Sequence, residues 1–181
     1  FDPSSPVMLA RETTGVRAVL IQYNPAGQFT RLTTFGGNNP VINHKIHVTS
    51  SGEVYLAGFS YGNVDLDPGS GTLTANPTGG MFFVKLDTQW NLAYGVGAGY
   101  ARIVTVNDIA VDALGRLYAT GDFSGTVDFN FGAGTANRTT TGSRDAYVLQ
   151  LSSSGAFGYV ATLGGTGSDA GAGSFHSLRA S

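Results

Sequence analysis

The sequence contains no cysteine, so neither a disulfide framework nor a thiolate metal site can be part of its design. Lysine occurs only at Lys45 and Lys85, and Lys and Arg together number 10 against 12 Asp and Glu. Charged residues make up 12% of the chain, and the net charge is −2. Cations so few and scattered build no basic stripe, which argues against nucleic acid or an anionic membrane as a partner. No apolar run approaches the roughly 18 residues that a transmembrane helix needs. Helical periodicity is sustained nowhere. No initiator Met precedes Phe1 and no signal-peptide pattern follows it, as expected of a processed piece or a window of something longer.

Glycine, by contrast, is abundant: 27 of 181 residues, about twice ordinary usage. With a hydrophobic share of 41%, this points to a globular chain of short strands and tight turns. The length suits one domain with a real core.

The sequence repeats itself. Gly62–Thr72 reads GNVDLDPGSGT, and 63 residues later Gly125–Thr135 reads GTVDFNFGAGT. Ile46–Gly58 (IHVTSSGEVYLAG) matches Ile109–Gly121 (IAVDALGRLYATG) at the same offset. Each of these latter segments reads as a hairpin, two alternating strands around a turn carrying Gly52 or Gly115. A second hairpin recurs in Val19–Phe29 (VLIQYNPAGQF), Phe82–Leu92 (FFVKLDTQWNL) and Tyr147–Phe157 (YVLQLSSSGAF). One unit is therefore two hairpins, or four strands, joined by the VD(L/F)(D/N) segment.

The expected fold is all-β: tandem four-stranded antiparallel blades, β-propeller-like, in about three repeats of roughly 63 residues each. The repeats are set at residues 1–65, which starts mid-unit, 66–128, and 129–181, which is truncated. Asp2 aligns with Asp67 and Asn130, and Ser174–Leu178 (SFHSL) aligns with Asp108–Asp112 (DIAVD), so both ends cut through a unit. A β-solenoid or a run of small stacked sheets is the rival architecture.

Gly121–Gly134 (GDFSGTVDFNFGAG), Asp145–Leu151 (DAYVLQL), Leu163–Asp169 (LGGTGSD) and Ile109–Gly121 carry a family likeness. They resemble the bacterial SBBP-type β-propeller repeat of large secreted and cell-surface proteins. The pattern is strong in the second and third copies and loose in the first. It departs at Phe131, where the family usually has proline, and at the C-terminal FHSLRAS. The resemblance implies an extracellular or cell-surface location and a role in scaffolding or adhesion. It implies no particular chemistry.

The candidate site residues are Asp65, Asp67, Asp128, Asn130 and Trp90. Asp65 and Asp67 are two apart, so on a strand their carboxylates leave one face, and Asp128 and Asn130 repeat the arrangement. An Asp-x-Asp-x-Gly run ahead of a turn can offer calcium several of the 6–8 oxygens it takes, although no third acid and no closing Glu complete an EF-hand loop. The alternative is mechanical: Asp and Asn cap backbone N–H groups while Pro68, Gly69 and Gly71 shape a turn. Asn130 in place of Asp67 fits a turn that needs an acceptor rather than a charge. Trp90 lies in the turn DTQWN, where the sister copies carry Ala26, Ser154 or polar residues nearby; if exposed it could stack on a sugar or anchor an interface, but the more ordinary arrangement folds it back over its own blade.

His44 and His47 stand at strand spacing, where i and i+3 face opposite ways, so zinc is not expected there. No Gly-x-Ser-x-Gly elbow and no P-loop is present. The expected function is a non-enzymatic, extracellular structural or adhesive module. It would associate with other copies of itself, into a filament or surface layer. The alternative is a propeller module that binds glycans or proteins through calcium-shaped loops.

Overall fold

The computed structural model describes residues 18–37, 39–75, 80–97 and 104–171. Phe1-Asp2-Pro3 and Ser174–Leu178, with His176, lie outside them. All regular structure in the described residues is β-strand. In chain order the strands are β1 (Ala18–Tyr23), β2 (Phe29–Phe35), β3 (Val41–Val48), β4 (Val54–Ser60), β5 (Val64–Asp65), β6 (Thr74–Ala75) and β7 (Gly80–Leu86). They continue with β8 (Leu92–Gly97), β9 (Asp108–Val111), β10 (Leu117–Phe123), β11 (Thr126–Asp128), β12 (Asn137–Thr139), β13 (Asp145–Leu151) and β14 (Phe157–Leu163).

The fold is all-β, in several small antiparallel sheets. Among the described residues β1-β2 form a two-stranded sheet, β3-β4-β7-β8 form one four-stranded sheet, and β9-β10-β13-β14 form another. The VD(L/F)(D/N) joint is itself a short hairpin, β5-β6 in one sheet and β11-β12 in the other, inserted between the second and third strands. No barrel or ring closes among the described residues.

Local chemistry explains the hairpins. Five turns share one construction: the first residue's N–H and C=O pair across the turn, and its side-chain oxygen takes a backbone N–H as well. These first residues are Asn24, Thr49, Asp87, Asp112 and Ser152. The fourth position of this turn requires a left-handed backbone, as in hairpin loops that end in a glycine bulge. Gly27, Gly52, Gly115 and Gly155 meet the requirement with φ between 72° and 94°. In the three recurrent hairpins β1-β2, β7-β8 and β13-β14, the register slips one residue before the turn.

Packing arranges the sheets as layers. Along β4 and β7 the side chains point alternately to the two faces of the middle sheet, yet nearly all are buried. On the upstream face, Val54, Leu56, Phe82, Val84 and Leu86 share a core with Ala18, Leu20 and Phe35 of β1-β2. On the downstream face, Tyr55, Ala57, Met81, Phe83 and Tyr94 share a second core with Leu117, Ala119, Tyr147, Leu149 and Leu151 of the last sheet. The Tyr55 hydroxyl donates to the Gly115 carbonyl at 3.3 Å, tying the middle layer to the last. β13, by contrast, alternates buried and half-buried residues, because only one face of its sheet is covered. Each fully buried Phe or Leu of these two cores contributes about 1.5–3 kcal/mol of hydrophobic stabilisation.

The inserts take part in the same packing. Val64 and Leu66 enter the first core, and Val127 and Phe129 the second, all of them fully buried. Phe131, which stands where its sister copy has Pro68, lays its ring 5.8 Å from Phe83. Burial pushes the Tyr94 hydroxyl well above its ordinary pKa, and neighbouring Tyr55 adds to the effect.

Candidate functional site

The acidic phrase is held by its own backbone. β5 ends at Asp65, so Asp67 stands in the loop rather than beside Asp65 on a strand. Asp65 Oδ1 accepts the N–H of Asp67 at 3.0 Å and that of Leu73 at 2.9 Å, which closes the loop between β5 and β6. Asp67 Oδ1 accepts the Gly69 N–H at 2.7 Å. The second copy repeats every bond: Asp128 Oδ1 accepts from Asn130 at 3.0 Å and from Ala136 at 2.7 Å, and Asn130 Oδ1 accepts from Gly132 at 2.9 Å. In V-D-(L/F)-(D/N) the first and third residues fill the core, and the second and fourth tie the loop. Each of these three carboxylates thus commits one oxygen to backbone amides. Among the described residues, no three His, Asp or Glu side chains converge as a metal site.

Asp67 and Trp90, distant in sequence, meet in one place. The turns Asp67–Gly71 and Gln89–Leu92, with Arg31–Thr33 of β2, line a cleft of about 530 Å³. A matching cleft of about 450 Å³ recurs one unit later, where Asn130–Gly134, Ser154–Phe157 and Val96 take the corresponding places. Asp65 and Asp128 line neither cleft.

Trp90 makes the first cleft different from the second. The hydrogen bonding of the turns aligns it with Gly27 and Gly155, one position on from the Ala26 and Ser154 expected from sequence. It is the one non-glycine residue with positive φ among the described residues, at 66°. A side chain there costs roughly 1–2 kcal/mol of backbone strain. Packing offsets that strain: the indole belongs to the first core and is 9% exposed. The Arg31 guanidinium lies 5.1 Å from the ring centroid in a cation–π contact. In the second copy Tyr94 occupies the Arg31 position, its ring pressed against Gly155.

The charge on this turn is stabilised too. The Asn91 side-chain amide is the main influence holding the Asp87 carboxyl below its ordinary pKa, against partial desolvation. The backbone N–H groups of Asn91 and Gln89 and the Arg31 charge act in the same direction.

A second polar group, which no sequence motif marks, lies on the last sheet. Asp122 on β10 is 5% exposed, and its Oδ1 accepts the Thr105 hydroxyl at 2.6 Å and the Asn107 amide at 3.4 Å. Its Oδ2 is bridged by Arg144 Nη1. Asn107 in turn donates to the Gly171 carbonyl at 2.8 Å. Nearby in sequence to Arg144, Asp145 is 4% exposed and its Oδ2 accepts the Thr141 N–H at 3.1 Å. One signal was available: Asp122 stands where the other copy has Phe59, a charge in an apolar position. The cluster locks Thr105, Asn107 and Arg144 onto the end of β10.

No protein-family model matches the chain, and no curated protein matches it.

Proposed function

We propose that the chain is a non-enzymatic structural and adhesive module, displayed outside the cell, that works by associating with further copies of itself. The observation that carries this reading is directional layering. Each layer meets the next through one kind of face on one side and a different kind on the other, as in a β-propeller or an open stack of blades. Contacts of this kind are heterologous, and they lead to rings when they close or to filaments when they do not. The resemblance of its repeats to SBBP-type blades supports both the propeller-like reading and the extracellular location. The test is light scattering of the chain across a concentration series, with electron microscopy of the associated fraction. Mass that rises with concentration is the expected result, and a strict monomer at the highest concentration would rule the reading out.

A second reading follows from Trp90. With its ring packed in the core under Arg31, Trp90 serves as a wall of the cleft, and the polar groups of Arg31, Gln89 and Asp67 beside it suit the hydroxyls of a glycan. Calcium would shape the loop through the remaining oxygens of Asp65 and Asp67 and nearby carbonyls. On this reading, glycan-array binding is present and is lost both with a chelator and in Trp90→Gly, a replacement that the sister turns already carry. Binding indifferent to both changes would sink it.

A further inference from the structure

We propose that the chain carries two complementary docking faces for a second copy of itself: the upstream face of β1-β2 and the downstream face of β9-β10-β13-β14. This inference rests on the self-association proposed above and names the surfaces that perform it.

The argument comes from internal repetition. In the middle sheet, the upstream face presents Phe82, Val84 and Leu86 from β7, all fully buried against β1-β2. The residues of β1 that correspond to these three are Val19, Ile21 and Tyr23. They are 50%, 38% and 47% exposed, on a strand otherwise built like β7. Cross-strand pairing sets Ile21 opposite Leu32, and Tyr23 opposite Phe29 with the two rings 6.4 Å apart. The result is an apolar stripe of the same construction as one that is buried in the next layer.

The other end mirrors this. The downstream face of the middle sheet presents Tyr55 and Tyr94, at 0% and 8% exposure, against the last sheet. Their counterparts in the last sheet are Tyr118 and Tyr159. Tyr159 is 47% exposed, and on the same strand and face Leu163 is 79% exposed. Val148 occupies the place of the fully buried Phe83 but is only half-buried. Sheet faces that lie inside the protein in one unit thus lie open in another.

The two open faces are of opposite kinds, which decides the occupant. Inside the chain, a Phe82-type face always meets a downstream face of the preceding layer. The Val19–Ile21–Tyr23 stripe of one copy therefore fits the Val148–Tyr159 face of another, continuing a stacking that the chain performs twice within itself. Neither exposed face carries a cluster of like charge that would oppose the approach: the β1 stripe has no charged residue, and on the other face Arg116, over the Tyr118 ring, is paired with Asp112, while Gln150 donates to the Tyr118 hydroxyl at 3.4 Å. A single-faced dimer would leave one face of each kind open at its ends, so growth continues head to tail.

The experiment uses the full chain with charge placed on one face at a time. Ile21→Lys blocks the upstream face and Tyr159→Lys blocks the downstream one. Both positions are exposed, so folding is kept, as circular dichroism will verify. Leu114→Lys, at a 69% exposed turn outside both faces, is the control. By sedimentation velocity, each single-face variant is expected to associate at least about tenfold more weakly than the unmodified chain, the loss of one well-packed contact. Mixed in equal amounts, Ile21→Lys and Tyr159→Lys form a one-to-one heterodimer through their two intact faces and grow no further, while Leu114→Lys assembles normally. Variants that assemble as the unmodified chain does would overturn the face assignment and leave self-association standing by another surface. An unmodified chain that stays monomeric overturns both.

Discussion

Alanine in place of Phe82 and alanine in place of Phe83 are each expected to destabilise the protein by about 3–5 kcal/mol. Neighbours on a strand point to opposite faces, so in a sheet with one face open only one of two such replacements should be severe. Here both are, because the middle sheet is covered on both sides and each ring is fully buried in a different core. The corresponding pair on β13 supplies the contrast. Tyr147→Ala removes a buried ring whose hydroxyl also donates to the Thr105 carbonyl at 2.7 Å, and it should cost a similar amount. Val148→Ala, on the uncovered face, should cost the monomer about 1 kcal/mol or less. Urea denaturation at low protein concentration measures all four. A mild effect at either phenylalanine would mean that one of the two cores is not packed as described.

Replacing Asp122 with alanine should cost about 3 kcal/mol, the low end for breaking a buried ion pair, since Arg144 keeps some contact with solvent. The loss has two parts. Arg144 is left without its carboxylate, and the Thr105 hydroxyl and Asn107 amide lose an acceptor. Asp122→Asn keeps one acceptor oxygen but gives up the charge and puts an NH2 donor in place of the other oxygen, where the Thr105 hydroxyl can turn to accept it, so about 1–2 kcal/mol is expected. The order Ala worse than Asn, read from thermal melting, identifies the carboxylate as the clasp of this corner. Equal melting of both variants and the parent would show that the clasp is idle.

Much of the architecture was legible in the sequence because its determinants are local. A side-chain oxygen at the first turn position marks all five of these hairpins and glycine at the fourth marks four of them, and Asp112 with Gly115 can be read within four residues. The two-hairpin unit followed from matching such phrases at a fixed spacing. What stayed hidden was either too short or too remote. β5 has two residues and β11 three, too few to show an alternating pattern, so the insert hairpins read as plain joints. The match between Trp90 and the two glycines depends on which turn residue is left-handed, and composition shows the neighbourhood of that position but not the position itself. Asp122 finds its partners 15 to 22 residues away, at Asn107, Thr105 and Arg144, and no local pattern encodes that meeting. The Asp65 and Asp128 loops lay between these extremes. Their turn-forming bonds follow from spacing, and what they do beyond that depends on what they meet.

The repeated pairing of one face with its opposite also bears on how such a protein can change its length. Since each buried core of the described residues lies between adjacent layers, a duplicated stretch of one unit would bring both of the faces it needs, and a deleted one would take both away. The neighbours on each side of the change would still find a fitting surface. Length would then change in whole steps, each new junction again setting an upstream face against a downstream one even where its side chains differ, as Trp90 with Arg31 differs from Gly155 with Tyr94.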